Sequence, residues 1–102
     1  MKQVTFRKEV TLKTSGRVIP VGTVATVEFK TENERDFMQI TLADGETYRS
    51  IKYSVFFKLP SLASLQKWSM DSVCKSVTGK RVEPDGHGDD NSPSWLLALG
   101  MI

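Results

Sequence analysis

Residues 23–52 read TVATVEFKTENERDFMQITLADGETYRSIK, and the spacing of their apolar positions decides the fold. From Thr23 to Lys30, Ala25, Val27 and Phe29 fall on one side, and Val24 and Thr26 on the other. A period of two marks a strand with one face buried. The polar run Thr31–Asp36 reads as a hairpin loop, Phe37–Leu42 as the next strand and Glu46–Lys52 as its return. Between the last two stands Asp44-Gly45. Both residues tolerate left-handed backbone angles, so the pair predicts a tight type I′ turn.

Upstream, Val4, Phe6, Val10 and Leu12 alternate with Thr5, Arg7, Glu9 and Thr11, which predicts a first strand. Lys8 falls on the mostly apolar side of it. Thr14–Arg17 supplies a turn, and Pro20 and Gly22 make Val18–Gly22 a bend rather than a central strand. Four or five short strands in so few residues predict a small, strongly bent barrel. The segment IPVGTVATVEF is similar to the stretch of SH3-like barrels in which a Pro/Gly bend precedes an apolar strand. The resemblance covers Gln3 to Leu59 and concerns the fold, which carries no function by itself.

Pro60 changes the regime. Ser61 can cap a helix, and Leu62, Leu65 and Trp68 recur at spacing three, so Ser61 to about Val77 is expected to be helical, with Gly79 stopping it. A break near Ser69–Asp71 would start a second short helix. Lys80–Glu83 is expected to be extended. Ser92-Pro93 combines a cap with proline at the first helical position and predicts a short helix over Ser94–Leu99, ended by Gly100. The expected fold class is α+β, mainly β: one domain, with a barrel over about 3–59 and a helical part over 60–102.

The chain has 102 residues, 14 Lys/Arg against 12 Asp/Glu, and one cysteine. One core fits that length and two do not. A lone cysteine, Cys74, forms no internal disulfide and suits a reducing compartment. No signal peptide or membrane span is read from the sequence, so a cytoplasmic, soluble protein is expected.

The acidic loop Asp85-Gly86-His87-Gly88-Asp89-Asp90-Asn91 resembles a calcium loop only at first sight. Counted from Asp85, the positions that need glycine and glutamate hold Asp90 and Leu96. One histidine and a distant Cys74 are too few ligands for zinc. His87 between two glycines is poorly held for general-base work. Thr78-Gly79-Lys80 is only a fragment of a phosphate loop. No enzyme, cofactor, metal or small-molecule substrate is therefore expected.

Two binding readings remain. Arg7, Lys8, Lys13 and Arg17 cluster in the first hairpin region, and Arg49 and Lys52 add charge near Tyr48 and Tyr53. Small barrels bind single-stranded nucleic acid with such basic and aromatic surfaces. Residues 1–60 nevertheless hold only ten Lys/Arg against seven Asp/Glu. The other reading starts from SPSWLLALGMI, whose apolar residues occupy every face of a short helix. Trp95, Leu96, Leu97, Met101 and Ile102 are candidates for a protein partner or for self-association, in part beside Leu62, Leu65 and Trp68.

Val82–Gly86 and Pro93–Leu99 together resemble the VEPDG and PSWLLAL ending of small, uncharacterised accessory proteins of bacteriophages and related mobile elements. That resemblance implies a host bacterial cytoplasm and action by binding a host or phage factor. It makes His87–Asn91 the variable part of the ending. The leading expectation is a non-catalytic protein-binding module, with nucleic-acid binding as the alternative.

Overall fold

The computed structural model describes residues 2–102. Its centre is an antiparallel pair, β4 (Val24–Glu32) and β5 (Arg35–Leu42), in register from Ala25↔Leu42 to Glu32↔Arg35. β1 (Lys2–Thr5) lies along β4 and β6 (Thr47–Ser50) along β5, giving the order β1-β4-β5-β6. The alternation works as the sequence predicts. Ala25, Val27 and Phe29 are buried together with Met38, Ile40 and Leu42, while Val24, Glu28 and Gln39 face outward.

The two hairpin turns exchange the characters expected of them. Thr31–Asp36 is mostly strand, and only Asn33-Glu34 turns the chain, both residues having positive φ. At Asp44-Gly45 only Gly45 is left-handed, at φ 92°. Its N–H donates to Leu42 O while Leu42 N–H donates to Glu46 O, so the loop has three residues. A type I turn closed by a left-handed glycine fits this geometry, and it relieves Asp44 of the unfavourable angle.

The first predicted strand breaks in two. The chain bends at Arg7-Lys8, and β2 (Val10–Thr11) pairs with β3 (Val18–Ile19) as a separate hairpin. That bend keeps Phe6 and Leu12 buried and turns Lys8 out to solvent. The strands do not close into one continuous barrel sheet, since β1 and β6 remain the edges of theirs. After β6 the chain forms a 3-10 turn, Tyr53–Val55, followed by Phe56. Tyr53, Val55 and Phe56 are all buried, and an alternating strand cannot bury two consecutive residues on one face. A single backbone bond, Arg7 N–H to Val55 O at 2.8 Å, crosses the gap towards the end of β1.

α1 (Leu62–Met70) is capped by Ser61, whose side chain accepts the Ser64 N–H. It ends at Asp71 rather than continuing to Val77. Asp71, Ser72, Val73 and Cys74 are weak helix formers, and the backbone returns to the extended region at Asp71. Cys74–Lys75 then form β7, paired with β8 (Arg81–Val82) around a turn with Gly79 at φ 91°. Gly79 thus closes a hairpin instead of a helix. α2 (Trp95–Ala98) is capped by Ser94, two residues after the expected cap, and Gly100 follows it in the left-handed region. Pro93 lies before the helix, bridged to His87. One core joins the inner sheet face to Phe6, Ile19, Phe56, Leu65, Cys74, Val77, Trp95 and Leu96. Among the described residues, no helix is long and apolar enough to cross a membrane.

Candidate nucleic-acid interface

The acidic loop is held in place by its own polar groups. His87 Nε2 donates to Asp36 Oδ1 at 2.6 Å, and the Thr31 hydroxyl donates to the same oxygen. Asn91, at φ 64°, donates from its side chain to Phe29 O at 2.9 Å. The Asp90 carboxylate accepts from Thr78 at 2.7 Å and from both the N–H and the hydroxyl of Ser92. Burial pushes the Asp90 pKa up, but those donated hydrogen bonds outweigh it and leave it below the usual carboxylate value. A Cβ on Gly88 would stand 2.8 Å from Asp90 Oδ1, so a larger residue there would displace the Asp90 carboxylate from its hydrogen bonds. Among the described residues no group of three metal-ligating side chains comes together.

The tail divides. Trp95 and Leu96 are buried within this chain, Leu96 completely. Both are core side chains here, so neither offers itself to a partner. Leu97 is half-buried; Met101 and Ile102 are exposed. Of the residues expected to share the tail's packing, Leu65 is buried and Trp68 half-buried, while Leu62 stands 68% exposed at the start of α1. Cys74 is sealed in the core with its thiol directed to Lys75 O, which leaves it no reactive exposure.

Six of the basic residues gather around the edge strand β6. Three adjoining depressions run around this strand, two beside the open gap and the third on the outer face that carries Phe37 and Arg49. The first, about 280 Å³, is lined by Arg7, Lys8, Ser54, Lys58 and Leu59. Through Lys8 and Ser54 it meets a larger one of about 590 Å³, which contains Lys52, Tyr48, Tyr53 and Leu99. Ser50, Ile51 and Lys52 lead on into a third of about 400 Å³, flanked by Lys13, Arg49 and Phe37. Six cations line this trough against one carboxylate, Glu9. The remaining chain carries eight Lys/Arg and eleven Asp/Glu, so positive charge is concentrated around β6.

Their state matters as much as their number. Among the described residues, Arg7, Lys8, Lys13, Lys52 and Lys58 have no carboxylate within ion-pair distance. Arg49 lies over the Phe37 ring, 4.8 Å from its centroid, with Glu32 at 3.7 Å. Arg17 does not join the trough. It bonds Asp44 at 2.6 Å and Glu46 at 2.8 Å, and Asp44, held by the Glu46 N–H and then by Arg17, falls below the ordinary carboxylate value. Burial pushes Tyr48 up to about 12, so its phenol stays protonated. Burial and the Asp36 charge raise Tyr53 further, and its buried hydroxyl has no hydrogen-bond partner among the described residues.

Three trough residues escape a reading of the sequence. Phe37 carries a usable signal, because its parity with Gln39 places it on the outer face of β5. Ile51, 67% exposed, and Lys58 do not, since only the 3-10 turn brings them to the trough. Comparison with family models, curated proteins and solved structures finds no match to this chain.

Proposed function

We propose that this protein binds single-stranded nucleic acid along the trough beside β6. The observation that carries the reading is the continuous lining of six cations with a single carboxylate. Exposed, unpaired Lys and Arg gain most from phosphate, because condensed counterions are released when they bind. Phe37, backed by Arg49, and Tyr48 add aromatic faces on which bases stack. The β1-β4-β5-β6 order and the Arg7–Val55 bond support reading the first half as an SH3-like barrel left open between β1 and β6. The phage-type ending supports a small accessory protein of the bacterial cytoplasm that acts by binding rather than by chemistry.

Titration of a labelled single strand at several salt concentrations tests the reading. Five or six phosphate contacts give a slope of log affinity against log salt of about −3.5 to −4. Lys8→Glu with Lys52→Glu should weaken binding by roughly tenfold or more while leaving the fold intact, both side chains being exposed. Absence of binding at low salt refutes it.

A second reading has its own observation. Leu99, Met101 and Ile102 are exposed, and Leu99 lines the central depression, which supports docking of a protein partner or of a second copy there. In that case Met101→Ser with Ile102→Ser abolishes association seen by light scattering and leaves nucleic-acid affinity unchanged.

A further inference from the structure

The trough does not stop at Lys58. That residue also lines a cleft of about 530 Å³ between the segment Phe56–Lys58 after the 3-10 turn, α1 and β7. Its aromatic surface is Phe57 and Trp68, both half-buried, over the buried Trp95. Lys2, Lys58 and Lys75 surround it, and no Asp or Glu lies among its described lining residues. None of the three lysines has a carboxylate within ion-pair distance among the described residues. An aromatic recess ringed by free cations and continuous with a phosphate track suits an unpaired nucleobase with its phosphates at the rim. A peptide's apolar side chain would use the rings but not the three cations.

We propose that the cleft takes a base of the bound strand, stacked on Trp68, with Lys2, Lys58 and Lys75 on the flanking phosphates. This rests on the single-strand reading and deepens it, since it assigns recognition of bases to one place and of backbone to another. Trp68 and Trp95 are the two tryptophans of the chain and both line the cleft, while neither lines the three depressions of the trough. A change in tryptophan emission on binding therefore reads the cleft and the core beneath it, not the trough.

The test compares an oligothymidylate and an oligouridylate of about 12 nucleotides with abasic strands of the same length and charge. Affinity is read by anisotropy of a terminal label and stacking by tryptophan emission. The base-bearing strands should quench emission and bind more tightly than the abasic ones. Trp68→Ala should weaken base-bearing strands by about 5- to 150-fold and leave abasic strands unaffected. Trp68→Phe, which keeps a ring, should recover most of the affinity but lose the part of the quenching that comes from Trp68. Equal affinity of abasic and base-bearing strands with unchanged emission overturns the inference and leaves the trough reading standing. Absence of binding by any strand overturns both.

Discussion

The loop 85–91 and the trough beside β6 are both rich in charge, yet they use it in opposite ways. In the loop, Asp90 accepts from Ser92 and Thr78, and His87 and Asn91 reach across to Asp36 and Phe29. In the trough, Arg7, Lys8, Lys13, Lys52 and Lys58 point to solvent with no acidic partner among the described residues. Polar groups satisfied within the chain hold structure together, and they have little left to offer a ligand. Charge that the fold leaves unpaired is available for binding. A local motif draws the eye to the loop, whereas the geometry favours the trough.

The strongest way to break the contrast is to release the loop from the core. Leu96→Ala removes a completely buried side chain immediately beyond the loop and should cost about 2–5 kcal/mol in urea unfolding. A loss below 1 kcal/mol would mean that the C-terminal arm does not belong to the common core.

Asp90→Asn sharpens the contrast at a smaller scale. It replaces an acceptor of charge-assisted hydrogen bonds, and because Asp90 is largely exposed the loss should stay near 1 kcal/mol at neutral pH. The folded-state pKa of Asp90 is depressed, so its contribution is present above the ordinary carboxylate value. It is lost as pH falls below about 4, where wild type and variant should converge. Thermal unfolding across pH 3–7 follows this, and a gap that persists in acid contradicts it. Nucleic-acid affinity at neutral pH should not change in this variant.

The smallest effect lies at the hairpin that carries Asp36, the loop's anchor. Glu34 has φ 63°, where a side chain is strained and glycine is not. Glu34→Gly should raise stability by about 0.5–1 kcal/mol, visible as a higher unfolding midpoint. A decrease would show that the Glu34 side chain offsets its backbone strain.

The sheet was legible because burial there follows a local period. Ala25, Val27 and Phe29 opposite Met38, Ile40 and Leu42 need no knowledge of distant residues. Turn types were less legible, since Asp44-Gly45 suits either a two- or a three-residue loop and the strand register decides between them. Cys74–Val77 misleads for a related reason. Its apolar spacing is compatible with a helix, but Ser76 bridges Ser94 and Cys74 pairs with Val82, and both contacts are made outside the segment. The trough was half legible. Lys8, Lys13, Arg49 and Lys52 could be named as cations, but only the bend at Arg7-Lys8 and the 3-10 turn bring them beside Lys58.

The bond from Asn91 to Phe29 has a consequence for the order in which the chain assembles. It closes a ring of 62 residues, whereas Thr31 and Asp36 on the β4–β5 hairpin are only five apart. By loop-closure entropy alone the long ring costs about 2 kcal/mol more to form. The hairpin is therefore expected to form ahead of the contacts of residues 85–102, which would dock as a late clasp on the sheet. Such late contacts govern how fast a protein comes apart more than how fast it folds. In that order the acidic loop would act as a brake on unfolding.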